Sequence, residues 1–318
     1  MIDRRGFVQG MVLAALAGPL TAQGQPAHAH RVPRIGVLGE VDPIGWTVRT
    51  SAVEVECRWA EGRRDRLRDL AAELVALGVD VIVAAGASSA RAAASVTATA
   101  PIVFVAGVDP ARDDGFLAGL AGRRDNVTGL LVPSEAEIAS ECLRLLAHVA
   151  SDLDHVAVLS NPDNPLARRA VGHARAAASK HGVELRCVEA RTIADAERAF
   201  TGIRATGRVG LLVLPDALFA IEQRRIVALA ALHRMPALYS SRSFVEAGGL
   251  MALSGNAAEV IRRTAAVVAR VLAGARPAAV PVEALAPLVL TVNAEAMLTM
   301  GFAMPRSLLA RAETVIRA

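Results

Sequence analysis

Val79-Asp80-Val81-Ile82-Val83-Ala84-Ala85-Gly86-Ala87-Ser88-Ser89 decides the fold. A short, nearly continuous apolar run ending at glycine is the pattern of a strand buried on both faces of a parallel sheet. The residues behind the glycine open a helix, expected over 88–98, so a strand here feeds directly into a helix. The same unit recurs in both directions. Upstream, Arg34–Gly39 and 51–58 read as strands, and Leu67, Leu70, Ala71 and Leu74 keep the i, i+3, i+4, i+7 spacing of a helix that Gly78 closes at its C′ position. Downstream, runs at 102–106, His155–Ser160, 209–214 and 237–240 alternate with helical patterns at 134–149, Pro165–His181, 194–205, 218–233 and 256–273. Strand followed by helix, repeated, predicts an α/β fold with parallel sheets built from right-handed crossovers.

Residues 32–131 and 150–250 share one rhythm of strand, polar loop and helix, although no strict repeat relates them. The expected fold is two doubly wound parallel-sheet lobes, residues 32–131 with 254–276 and residues 132–253 with 280–318, a size that suits two domains. The first crossing falls near Val132-Pro133, where a strand gives way to a helix opened by Ser134 with Glu137 three residues on, a capping-box spacing. The second falls at Leu253-Ser254-Gly255. Residues 277–281 read as a surface connection into a last strand, 288–292, and two short C-terminal helices.

Ahead of the first lobe, Asp3-Arg4-Arg5-Gly6-Phe7-Val8 precedes an apolar run from Met11 to Leu20, and Ala27-His28-Ala29 offers small residues at the two positions a signal peptidase reads. This is the anatomy of a twin-arginine export signal over 1–29, cleaved near Ala29. A membrane anchor fits poorly, because Gly18 and Pro19 interrupt the run well short of the about 20 residues a bilayer span requires. No cysteine stands near its end to be lipidated, so a periplasmic chain with no stable membrane insertion is expected. Cys57, Cys142 and Cys187 are odd in number and lack CxxC spacing, which argues against a disulfide framework or a zinc site.

Removing 1–29 takes away two arginines and one aspartate, so the formal charge falls from +4 to +3. The remaining arginines are interleaved with acids, as at Glu61-Gly62-Arg63-Arg64-Asp65-Arg66, and read as solvated helix faces rather than a nucleic-acid surface. There is no GxGxxG after a strand, no GxxxxGK[ST], no HExxH and no GxSxG. His148, His155, His173, His181 and His233 lie on or beside helices without metal-ligand spacing. No cofactor is expected, and enzyme chemistry finds little support.

Polar residues instead gather behind the predicted strands, at the edge where open α/β sheets bind ligands. Gly39 and Glu40 end the first strand. Gly86, Ser88 and Ser89 open a helix whose free N–H groups and dipole favour a carboxylate; a serine N-cap is the ordinary reading, and both can hold. Asp109 in Val108-Asp109-Pro110 takes an amine or hydroxyl of a ligand, or caps the helix behind Pro110. Asn161 and Asn164 in the NPDNP loop, and Asp216 behind 209–214, hold the same edge of the other lobe, although Asx and proline are also ordinary turn chemistry. Tyr239 joins Trp46, Phe219 and Phe244 as the aromatic candidates, each either a stacking partner or core.

The segments RIGVLG, CRWAEG with DRL shortly after, DVIVAAG, IVFVAGVDP, NVTGL, NPDNP, FVEAGGLM and the C-terminal PRSLLARAETVI, in this order, resemble the ABC transporter substrate-binding protein family over essentially all of 32–318. The resemblance implies a periplasmic-binding-protein type I fold, two lobes joined by a hinge, with a small carboxylate-bearing or zwitterionic solute bound between them. It also implies delivery to an ABC permease whose partner ATPase supplies the energy. Some relatives bind aromatic amino acids. Two departures stand out. Where relatives have a full first helix, this chain has only residues 40–50, expected to be an irregular loop that leaves the sheet beside Arg34–Gly39 less covered. Leu253 replaces a commonly aromatic residue. A periplasmic enzyme on a similar fold, or a degenerate receptor without solute, remain the alternative readings.

Overall fold

The computed structural model describes residues 31–40, 53–107, 119–120, 125–204, 207–285, 288–303 and 305–317. The expected export signal, the expected loop beyond Glu40, and Asp109 lie outside the described residues. Two compact units divide the chain: the described residues of Met1–Ser134 with Ala257–Pro287, and those of Glu135–Asn256 with Leu288–Ala318.

The first unit carries an all-parallel sheet of β1 (Arg34–Gly39), β2 (Glu54–Trp59), β3 (Val81–Ala85), β4 (Ile102–Gly107), β5 (Val127–Val132) and β11 (Glu283–Ala284), in the order β11-β5-β4-β3-β1-β2. The strands are apolar on both faces because both are covered. On one, α1 (Leu67–Ala76) and α2 (Ala87–Val96) pack Leu70, Leu74 and Ala90 against Leu38, Ile82 and Phe104. On the other, α9 (Ala257–Leu272) lays Val267, Val268 and Val271 on Val37, Val81 and Val103. That helix lies over β3, β4 and β5. Val55, Cys57 and Trp59 of the edge strand β2 stay half-buried. β2 nonetheless pairs with β1 in parallel from Arg34↔Glu54 to Gly39↔Trp59.

In the second unit, β6 (His155–Ser160), β7 (Glu184–Glu189), β8 (Val209–Val213), β9 (Ala237–Tyr239), β10 (Met251–Gly255), β12 (Leu288–Asn293) and β13 (Thr314–Ile316) are ordered β13-β12-β10-β9-β8-β6-β7. Only the β10/β12 pair is antiparallel. One face packs on α3 (Glu135–Val149) and α4 (Pro165–His181). The other packs on α5 (Ile193–Arg204), α6 (Ala217–Ile221), α7 (Gln223–Leu232) and α8 (Arg242–Glu246). In each sheet the first strand lies between the second and the third, so the winding reverses between β1 and β3 and again between β6 and β8. Those reversals are the switch points outside which doubly wound sheets bind ligands.

The structure departs from the sequence reading at several boundaries. Residues 280–287, expected in the second lobe, belong with the first unit: Glu283 pairs with Leu130, Leu285 N–H donates to the Leu131 carbonyl at 2.8 Å, and Arg263 pairs with Glu283. Residues 254–256 stay with the second unit, because β10 runs on to Gly255. The helix expected over 218–233 is two helices, broken at Glu222 where φ/ψ is −92°/18°. Beyond the two C-terminal helices, α10 (Ala294–Thr299) and α11 (Arg306–Arg311), the chain adds β13, paired in parallel to β12.

Candidate functional site

At the first switch point β1 ends at Gly39 and β3 at Ala85. The Trp59 ring lies so close over Gly39 that a Cβ there would stand 2.2 Å from it, so Gly39 serves strand packing. Glu40, expected to face a ligand, is held by its own unit: its carboxylate pairs with Arg64 at 3.0 Å and its carbonyl accepts the Gly62 N–H at 2.8 Å. Gly86 is the N-cap of α2, with φ 99°, a conformation that suits glycine. Its N–H donates to the Val105 carbonyl at 2.8 Å. The N-cap residue is thus a glycine without a side chain to cap with, which removes the serine N-cap reading. Ser88 and Ser89 stand in the first turn, where N–H groups have no intrahelical acceptor. Ser88 is half-buried; Ser89 is fully buried, with an Oγ that has no hydrogen-bond partner among the described residues.

At the second switch point the structure brings three predicted residues together. Asn161 Nδ2 donates to Asp216 Oδ1 at 3.3 Å, and Asn164 Nδ2 donates to Asp216 Oδ2 at 3.0 Å. Each also serves a local end: Asn161 Oδ1 accepts the Asp163 N–H at 3.0 Å, Asn164 Oδ1 caps α4 through the Leu166 N–H at 3.0 Å, and Asp216 Oδ1 caps α6 through the Leu218 N–H at 2.9 Å. A carboxylate offers about four acceptor positions, so Asp216 retains room for a donor from a bound molecule. The cluster is half-buried and fixed by the turns that follow β6 and β8.

Of the two roles open to Tyr239, stacking partner or core, its ring takes up a core position. Alternation along β9 sends its ring to the opposite face from Leu238, where it is 1% exposed and stacks on Phe244 with ring centroids 4.8 Å apart. Burial pushes its phenol pKa up.

Beside the Asn161–Asp216 cluster opens a cavity of about 330 Å3, bounded by α3, α4 and the ends of β8, β9 and β10. Sequence reasoning did not find it. Its exposed mouth includes Glu135, Leu166 and Pro215, and its buried floor includes Cys142, Leu212 and Leu238. Burial pushes the Cys142 thiol up to about 12, so it lines the wall as a neutral group. A second cavity, about 500 Å3, lies at the opposite strand edge against His233, Arg234 and Met300 and touches none of the predicted site residues. Among the described residues no three His, Cys, Asp or Glu side chains are grouped to hold a metal, and no helix is long and apolar enough to cross a membrane.

None of the curated proteins matches the chain. Among solved structures, a conserved domain protein from Vibrio cholerae is 24% identical with a TM-score of 0.58, the match covering 90% of this chain and 100% of that one. An ABC domain from Streptococcus pneumonia, in complex with L-Trp, is 21% identical with a TM-score of 0.56 over 90% of this chain and 100% of its own. A 5-methylthioribose transporter solute binding protein from Thermotoga lettingae is 14% identical with a TM-score of 0.53, over 88% and 98% respectively. At these identities the likeness is one of fold, the periplasmic-binding-protein type I-like pair of α/β units. A family model described as ABC transporter substrate binding protein matches residues 47–316, and the chain therefore belongs to the ABC transporter substrate-binding protein family.

Proposed function

We propose that the chain is the receptor of an ABC importer, working in the periplasm after export, which holds a small carboxylate-bearing or zwitterionic solute between its two units and delivers it to a membrane permease. The observation that carries this reading is the polar group at each switch point: the α2 N-terminus behind Gly86 with Ser88 and Ser89 in the first unit, and Asp216 held by Asn161 and Asn164 in the second. A helix N-terminus favours an anion and a carboxylate favours a donor, so together the two sites suit the two ends of a zwitterion. The solute prefers the closed arrangement of the units, and that preference is what lets a permease distinguish loaded from empty receptor. The chain performs no chemistry on what it binds.

Protein purified from its own host, denatured and analysed by mass spectrometry, is expected to release one small molecule with a carboxylate. Calorimetry with that molecule then locates the site. Loss of one charge-assisted hydrogen bond costs about 1.5–3 kcal/mol, so the Asp216→Ala and Ser88→Ala/Ser89→Ala variants are each expected to bind more than tenfold more weakly. Protein that releases nothing and binds nothing from host extract overturns the reading; variants that bind like wild type move the site elsewhere.

A further inference from the structure

The cavity beside Asp216 bears on which solute is taken. On its helical wall, Ala139, Ala167, Ala170 and Ala174 of α3 and α4 leave room with their methyl groups, beside Ile138, Cys142 and Leu166. The strand side presents Leu212, Leu214, Leu238 and Leu253. The one aromatic residue at its boundary is Tyr239, whose ring points to the other face of the sheet and is occupied by Phe244. An aromatic guest gains from a ring it can stack on, and this wall offers none. Alkyl groups gain from removal of apolar surface alone, which the wall supplies. The volume, about 330 Å3, stands at the small end of ligand pockets and suits a side group rather than a whole large molecule.

The mouth adds polar groups. Asn164 Nδ2 reaches the Pro215 carbonyl at 3.4 Å, which ties the Asp216 cluster to the rim. Across the mouth stands Glu135, paired with His173 at 3.1 Å and with Arg169 at 4.0 Å. At that rim Asp216, with three of its acceptor positions taken, has room for an amine.

We propose that this cavity receives an alkyl side chain of the solute, with the solute's amine at Asp216, so that the receptor takes aliphatic rather than aromatic zwitterions. This rests on the receptor reading above.

The test uses the mature protein and calorimetry with glycine, alanine, leucine, norleucine, phenylalanine and tryptophan as probes, alongside the solute released from host-purified protein. Leucine or norleucine is expected to bind best. Ala170→Leu, which fills the cavity, is expected to weaken that probe at least about tenfold while changing glycine or alanine little, since each methylene kept from burial costs several-fold in affinity. Leu253→Ala, which enlarges the cavity, is expected to shift preference towards longer chains and keeps the test open if Ala170→Leu does not fold. Tighter binding of tryptophan than of any alkyl probe, a host solute without an alkyl group, or unchanged binding in folded variants of both kinds overturns the proposal and leaves the receptor reading standing. No binding of any probe or host solute overturns both.

Discussion

Gly129 in β5 runs so close to β4 that a Cβ would stand 2.2 Å from the Phe104 carbonyl oxygen and 2.6 Å from its nitrogen. Both are backbone atoms of a central strand and cannot swing aside. Gly129→Ala is expected to destabilise the protein by about 3 kcal/mol, read as a lower urea midpoint, because overpacking forces the strands apart. His155 gives a second residue-scale prediction. It is buried at the start of β6, and burial first, then the Arg186 charge, hold its pKa below the ordinary value against the opposing pull of Glu184 and Asp154. The folded protein thus keeps the ring neutral where the unfolded chain already takes a proton. The stabilisation is complete above about pH 6.5 and is lost as pH falls through the depressed folded value. Urea titrations at pH 7.5 and pH 5 are expected to show a smaller acid loss for His155→Gln than for wild type.

The helix Pro165–His181 was legible in full because its punctuation is local: Asn164 caps it, Pro165 occupies the first turn, and Gly182 closes it with φ 65°. Asn164→Ala is expected to cost about 1 kcal/mol of stability through the lost cap, measured by thermal unfolding. The break at Glu222 was not legible, since Asp216 starts a five-residue helix there whose direction is set by packing of Phe219 into the core rather than by any breaker. β7 escaped notice for a different reason. Its sequence, Glu-Leu-Arg-Cys-Val-Glu over 184–189, belongs to a half-exposed edge strand, which carries no continuous apolar run. That Asn161, Asn164 and Asp216 share one sheet edge could be read because each follows a strong strand pattern. The pairing of Glu40 with Arg64 was not legible, because the two meet only through tertiary structure. The cavity had no sequence signature at all, being a space left between five separate elements.

For the whole molecule, the expected route out of the cytoplasm is testable without any ligand. Replacing Arg4 and Arg5 by lysine is expected to keep the protein in the cytoplasmic fraction with its leader uncleaved, and unchanged delivery of mature protein to the periplasm would sink the twin-arginine assignment. The division of the chain has a consequence of its own. The helix that covers the second face of the first sheet is Ala257–Leu272, and the second sheet takes β12 and β13 from beyond Leu288. During synthesis from the N-terminus, Val37, Val81 and Val103 must therefore wait for that late helix with their face of the sheet bare. Neither half can finish early and await the other, so a nascent polypeptide halted near residue 250 is expected to stay bound to chaperones or to aggregate, whereas one that extends past β13 gains protease resistance in a single late step. The timing of translation is written into where this chain crosses from one unit to the other.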